Sequence, residues 1–318
     1  MLRYTARRLL VAIPVLFGIL AMAFVMTRLL PGDPLLMTMS IEEFSASDEY
    51  LEQRREALGL DKPLPVQYVA WVGEVFQGNL GTSFHRRVPV TELIMQRIGP
   101  TVKLTGTGVL IALAIGVPIG VFAALKQNTR FDYTSATGSM IAISIPNFFL
   151  GLMAIFVFAL RLKWFPTGGL RTLGGEPSLV DSLRHLAMPA AVLSAVLIGP
   201  YVRYTRQSML DVLRQDYINT ATAKGVPRPA ILAFHGLRNA LIPLTTVVAI
   251  QIPGLLAGTV IIETIFSWPG MGQLVLEGIT RRDYPIIIGV VLVSAILVML
   301  FNFLADILAA VLDPRIRL

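Results

Sequence analysis

The chain has 318 residues, 54% of them hydrophobic and 15% charged, with a mean hydropathy of +0.68, more apolar surface than a soluble domain of that length needs. The net charge of +7 comes without a basic patch interleaved with stacking aromatics, which argues against nucleic-acid binding. Cysteine is absent, so a disulfide framework, a thiol nucleophile and a thiolate metal site are excluded.

Six segments of about 20 mostly apolar residues qualify as bilayer spans: 9–30, 104–125, 133–160, 186–202 (the shortest), 240–262 and 286–305. The runs are continuous and do not alternate, which predicts an all-α membrane protein and not a barrel. Arg3, Arg7 and Arg8 precede the first run, and Ala21-Met22-Ala23 has the form of a signal-peptide cleavage site. The run continues to Leu30, too long for a signal peptide's apolar region, so a retained helix is expected.

Residues 31–98 read as an external helical insertion. Leu30-Pro31-Gly32-Asp33-Pro34 stops the first helix. A short helix is expected after Ser47 as N-cap, with Asp48 and Glu49 in its first turn. A second has Val66, Val69, Val72 and Phe76 on its apolar side, with Tyr68 and Trp71 suited to the headgroup level. A third covers 88–98. The insertion reads either as a lid over the outer mouth or as a docking surface for an external partner.

Residues 99–318 carry the remaining spans. Ser144-Ile145-Pro146-Asn147 interrupts the third span and predicts a kink. Asn147 is then either part of that kink or a pathway-lining residue, because broken backbone at membrane depth is tolerated beside protein or a water-filled cavity. Residues 164–177 are an external Gly/Pro loop, and the fourth span contains Pro189 and Pro200.

Residues 204–243 are basic and helical in pattern, lying between two apolar segments. Leu210, Leu213, Tyr217 and Ala221 recur on one helical face. Ala221 and Ala223 are small at the end of that helix, and Gly225 is placed to close it in the left-handed conformation. Pro229 suits the first turn of a second short helix with Ile231, Leu232 and Leu237 on its apolar side. The product is a helix–Gly–helix elbow facing the cytoplasm, where small residues give a partner access to the backbone.

The fifth span holds Gln251, Pro253, Gly254 and Gly258, which make it a candidate cavity-lining helix. Glu263 at its outer end reads as an interfacial residue bonded to backbone, or else as a group facing the pathway. Asp306, in the sixth span, is expected to pair with a cytoplasmic arginine. With both termini inside, the inner face collects 13 basic residues and four acids, whereas 31–98 has six basic residues and ten acids.

Catalytic chemistry is not indicated. His85, His185 and His235 fall in separate segments, and there is no His-Glu-x-x-His or Gly-x-Ser-x-Gly motif. No lysine follows a glycine, so the chain has no phosphate loop of its own. The spans also lack the paired mid-membrane ionisable residues typical of a proton- or ion-coupled secondary transporter, which is the alternative reading.

Four stretches together resemble a known family. They are the Arg7-Arg8-Leu9-Leu10 opening with Leu30-Pro31-Gly32-Asp33-Pro34; Leu58-Gly59-Leu60-Asp61 through Gly78-Asn79-Leu80-Gly81; the elbow; and Phe266-Ser267-Trp268-Pro269-Gly270-Met271-Gly272 with Arg282-Asp283-Tyr284-Pro285. The chain resembles the permeases of binding-protein-dependent ABC importers, in the dipeptide/oligopeptide/nickel branch. The resemblance implies a type I importer permease fold of six transmembrane helices in the bacterial inner membrane, with both termini cytoplasmic and no enzymatic activity. It implies as partners a second, homologous permease, two ABC ATPase subunits and an extracytoplasmic solute-binding protein. ATP–Mg would sit on the ATPases, with no cofactor on this chain.

The elbow, 206–239, is similar to the family's EAA coupling loop. That likeness assigns ATPase coupling to Asp216, Tyr217, Thr220, Ala221, Ala223, Lys224, Gly225, Arg228, His235, Arg238 and Asn239. The literal Glu-Ala-Ala is Asn219-Thr220-Ala221 here, and Val226-Pro227-Arg228-Pro229 stands where a hydrophilic cap is usual. Di- or oligopeptides are the expected cargo, with nickel chelates, glutathione and oligosaccharides carried by similar chains.

Overall fold

Apolar runs fold as helices throughout the computed structural model, which describes residues 2–29, 48–57, 60–174, 176 and 178–312. The order is α1 (Leu2–Leu29), α2 (Asp48–Ala57), α3 (Leu64–Phe76), α4 (Val90–Leu125), α5 (Arg130–Ser144) and α6 (Asn147–Ala154), which continues as a π turn, Ile155–Arg161. Then come α7 (Leu179–Leu213), α8 (Asp216–Ala223) and α9 (Arg228–Ala230), followed by a second π turn, Ile231–Leu237, and α10 (Arg238–Gly258). The chain closes with α11 (Val260–Ile265), α12 (Met271–Arg281) and α13 (Tyr284–Leu312). Among the described residues there is no strand, only an isolated antiparallel bridge between Thr82 and Pro89.

Four stretches are long and apolar enough to cross a membrane: Val90–Leu125, Leu179–Leu213, Arg228–Gln251 and Tyr284–Leu304. The bent pair Arg130–Ser144 and Asn147–Arg161 makes a fifth if counted as one span. Against the six expected spans, α1 supplies a shorter apolar stretch, Ile13–Met26.

Several expectations are corrected. The third short helix over 88–98 does not exist as a separate piece: α4 runs unbroken from Val90 through Pro100 and Pro118 to Leu125. The third span does not merely kink but turns by 93° between α5 and α6. Pro146 lacks an N–H and forces the preceding residue out of the helical region, and Ile145 is accordingly extended (φ −83°, ψ 123°). The fourth span is not short, since α7 extends to both sides of 186–202 and absorbs Pro189 and Pro200.

On α3 the buried side is not the expected one. Val72 is buried, whereas Val66, Val69 and Phe76 are exposed. Tyr68, Trp71 and Val75 pack instead beside Leu16, Ile19 and Leu20 of α1. Phe24 stands edge-on to Tyr68 at 5.5 Å, and the Tyr68 hydroxyl donates to the Phe17 carbonyl at 3.1 Å. Ring geometry and this hydrogen bond outweigh the simple valine stripe. Leu30 to Pro34, Ser47, Leu58 and Gly59 lie outside the described residues, as do the side chains of Arg3, Arg7, Arg8 and Asp306.

The chain separates into two units, Met1–Arg97 with Leu274–Met299, and Ile98–Gln273 with Leu300–Leu318. The first has Leu20, Val72 and Leu292 as a small core. The second is organised around α7, whose Met188, Leu193, Leu197 and Tyr201 belong to a buried cluster with Leu104, Leu244 and Phe266. Three α4 glycines let that helix approach α7 closely: Gly108 faces Leu193, Gly116 faces Tyr201, and Gly120 faces Thr205 and the Val202 carbonyl. On its other side Gly199 of α7 meets the Ser139 carbonyl of α5. Held on two sides by backbone-close packing, α7 is a stiff rod that leads into the elbow.

Candidate functional site

The elbow begins where α7 stops. Gln215 is extended (φ −77°, ψ 147°) and opens α8 as its N-cap. The single helical face expected from Leu210, Leu213, Tyr217 and Ala221 is therefore split between two helices. Leu210 is buried on α7 and Tyr217 is exposed on α8, whose only buried residue among those described is Ile218.

Gly225 closes α8 as its sequence position predicts. Its φ is +74°, its N–H donates to the Thr222 carbonyl at 3.0 Å, and the Val226 N–H donates to the Ala221 carbonyl at 3.2 Å. That pair of bonds is the Schellman closure, which needs a residue in the left-handed region. Pro227 is then extended, Pro229 sits in the first turn of α9, and the chain continues through the π turn into α10 without a break. The second elbow helix is thus the beginning of the next long helix, and not a separate short piece.

The two arms are tied together and to the rod. Asn239 Nδ2 donates to the His235 carbonyl at 2.9 Å and to the Tyr217 hydroxyl at 3.3 Å. Gly236 lies so close to Met209 that a Cβ there would stand 2.9 Å from its methyl carbon. Met209, Leu210, Ala124 and Ala240 form one buried cluster joining the ends of α4, α7 and α10. Asp216, Tyr217, Thr220, Ala223, Lys224, Gly225, Arg228, His235 and Arg238 are exposed on this base, and Ala221 and Asn239 are half-buried. No atom outside its neighbours lies within 4 Å of the Cβ position of Gly225, so its outer side is open to a partner.

Two contributors were not singled out in the sequence. Phe234 is 72% exposed in the middle of the elbow. In the π turn Ile231 and Gly236, five residues apart, are the buried pair, so Phe234 between them faces away from the core. Asp132 and Arg206 form the other, an ion pair between α5 and α7. Arg206 Nε and Nη2 donate to the two Asp132 carboxylate oxygens at 2.5 and 2.7 Å, and the Asn128 N–H adds a bond at 3.0 Å. Asp132 is 3% exposed, so this two-pronged clip fastens α5 to α7 about two turns before α7 ends. Asp132→Ala is expected to lower stability by about 2–3 kcal/mol, less than for a fully buried pair because Arg206 is partly solvated. Thermal unfolding of the detergent-extracted protein checks it.

The expected pathway residues fall on three helices, α6, α10 and α11. Asn147 is the half-buried first residue of α6. Gln251 lies on α10 with a buried Oε1 that has no partner among the described residues, and Gly254 and Gly258 follow on the same helix. Glu263 is fully buried in α11. Its carboxyl group accepts from the Thr101 hydroxyl at 2.8 Å, the Thr259 hydroxyl at 3.1 Å and the Gln273 N–H at 3.0 Å. A cavity of about 570 Å³ lies between α6 with its π turn and α7, lined by apolar residues such as Leu150, Met153, Phe158 and Ala191; Asn147, Gln251 and Glu263 do not line it.

Residues 116–318 match the family described as "Binding-protein-dependent transport system inner membrane component", and residues 1–105 match "Binding-prot-dependent transport system membrane comp, N-term". The oligopeptide transport system permease protein AppB of Bacillus subtilis is 44% identical over 318 residues, 100% of each chain. The di/tripeptide transport system permease protein DppB of Pseudomonas aeruginosa is 40% identical over 335 residues, covering 100% of this chain and 99% of its own. The dipeptide transport system permease protein DppB of Escherichia coli K12 is 37% identical with the same coverage. A solved chain of the MetNI methionine ABC transporter, in an inward-facing conformation, matches with a TM-score of 0.56 at 18% identity over 70% of this chain and 96% of that one, a likeness of fold.

Proposed function

The chain belongs to the family of binding-protein-dependent transport system inner membrane components, and from that premise we propose that it moves di- or oligopeptides inward, driven by a separate ATPase that docks on residues 216–239. It is a multi-pass permease component of an ABC importer, not an enzyme. Peptides are favoured as cargo because the relatives similar over their whole length are named peptide permeases. In this reading α1 is the first of six spans, both termini are cytoplasmic, and residues 31–98 lie outside. A second, homologous permease completes the pathway, two ATPases hold ATP–Mg, and an extracytoplasmic binding protein delivers the cargo.

The observation that supports coupling is the elbow's construction. Its outer side is open at Gly225, while its base is continuous with α10 and fastened to α7 by the Met209 cluster. A push on α8 therefore displaces both long helices as rods. Asn147, Gln251, Gly254 and Gly258 remain the candidate pathway group, and Glu263 is retained only as a residue that positions the outer turn.

Three substitutions test the coupling. Gly225→Val puts a β-branched side chain where φ is +74°, and should abolish peptide uptake while ATP hydrolysis persists. Gly225→Asn tolerates that conformation and should keep most of the uptake, which separates backbone capping from steric obstruction. Phe234→Ala removes an exposed ring, so stability should change by less than about 0.5 kcal/mol. Its ATPase affinity, in contrast, should fall about tenfold or more if the ring is an anchor. Purification from native membranes in mild detergent tests the whole reading. Recovery with a P-loop ATPase and a second permease, and ATP-dependent peptide uptake in proteoliposomes, is the expected result. A chain that transports alone without ATP would overturn it.

A further inference from the structure

The first unit carries a tightly built basic knuckle. Residues 82–87 and the end of α12 are locked together through Asp283, which is 1% exposed. Its Oδ2 accepts from the Ser83 hydroxyl at 2.5 Å and from the His85 N–H at 3.0 Å. Arg86 grips Glu277 through Nε and Nη2 at 2.7–3.0 Å, and Arg281 lies 3.6 Å from the same carboxylate. Arg86, Arg87, Arg281 and Arg282 are all exposed, and four arginines against Glu277 and Asp283 leave the knuckle at +2.

Arg282 occupies an unusual place. It stands at φ +54°, its N–H donates to the Ile279 carbonyl at 3.2 Å, and the Asp283 N–H donates to the Gly278 carbonyl at 2.8 Å. This is the same helix closure that Gly225 makes after α8, at a position where glycine is the ordinary residue. Arg87 is also left-handed, at φ +57°. An arginine held in a conformation that glycine adopts freely argues for a need for its guanidinium group, because such strain collects at functional positions.

We propose that this knuckle is a docking point for an acidic face of the extracytoplasmic binding protein, with Arg282 as its principal charge. The inference rests on the importer reading, in which this side faces outward. Apart from Arg86 and Arg87, residues 31–98 hold four basic and ten acidic residues, so the knuckle is a positive point beside a negative segment. A fixed cation in such a field orients an incoming acidic partner and raises its on-rate.

The test uses the assembled transporter in phosphatidylcholine nanodiscs and the solute-binding protein that stimulates its ATPase. Binding kinetics are measured at about 0.05 M and 0.3 M salt for wild type, Arg282→Gly and Arg282→Asp. Glycine relieves the backbone, so thermal stability should hold or rise while docking weakens. Arg282→Asp should slow association about tenfold at low salt, with the difference shrinking at high salt. Unchanged association rates overturn the proposal. A loss of free-peptide binding without the binding protein, or an effect present only with anionic lipid, would reassign the knuckle and also overturn it. If no binding protein stimulates or binds the wild type, the importer reading itself fails, a result distinct from either variant's.

Discussion

Glu263→Ala is expected to cost on the order of 5 kcal/mol and to strip most of the folded chain from the membrane. Three donors converge on that carboxyl group from Thr101, Thr259 and the backbone of Gln273, and none has water to turn to at a site that is 0% exposed. Each orphaned buried donor costs about 1–3 kcal/mol, and the vacated volume adds a packing loss. Thr101 also accepts from the Met271 N–H at 2.8 Å, so its displacement spreads to the first turn of α12. Gly270 and Gly272 pack directly on the carboxyl group, and no other residue type leaves room for it there. Glu263→Gln keeps the shape and should lose less. The amide can accept from the Gln273 N–H and donate to a threonine oxygen, though the threonine hydroxyls must then reorient. Thermal unfolding of the detergent-extracted protein and its membrane level measure both variants. An alanine variant that melts within about 2 °C of wild type would show that the network does not hold the turn between α11 and α12.

What sequence could and could not show follows the range of each interaction. Apolar runs marked the helices because burial in a bilayer demands continuous apolar length. Gly225 and Pro229 were legible because their roles are set by their own backbone geometry. Pro146 announced a break, but a missing N–H says nothing of where the next helix points, here 93° away. The Asp132–Arg206 clip joins residues 74 apart, and the Thr101–Glu263 bond joins residues 162 apart. No periodicity links such pairs, so Glu263 read as a helix-end residue and nothing in the sequence joined the two clip members. Phe234 was hidden because a π turn changes the repeat on which helical faces are counted. On α3, valines at helical spacing signalled a buried face, but the rings of Tyr68 and Trp71 took it.

The α4–α7 contact gives the second large effect, and the order of its glycines can be ranked in advance. A Cβ on Gly120 would stand 2.7 Å from both the Thr205 Cβ and the Val202 carbonyl oxygen, and 3.1 Å from the Arg206 nitrogen. Two of those three atoms are backbone, which cannot rotate away, so even Gly120→Ala must push the helices apart. A Cβ on Gly108 would meet only the Leu193 side chain, at 2.7 and 2.9 Å from Cδ2 and Cγ, and a leucine can change rotamer. Gly106, on the same helix, has nothing within 4 Å. Destabilisation should therefore run Gly120→Ala above Gly108→Ala, with Gly106→Ala neutral or stabilising by up to about 1 kcal/mol from helix propensity. Overpacking of this kind ordinarily costs about 1–3 kcal/mol, and Gly120→Leu should exceed that range because it displaces backbone. The displaced segment carries Arg206 and leads into the elbow, so peptide uptake should fail in Gly120→Leu even in the fraction that folds. Uptake at the wild-type rate by Gly120→Leu, or equal melting of the three alanine variants, would mean that α7 is not wedged as a rod. Transmission from the elbow would then have to run through α10 alone.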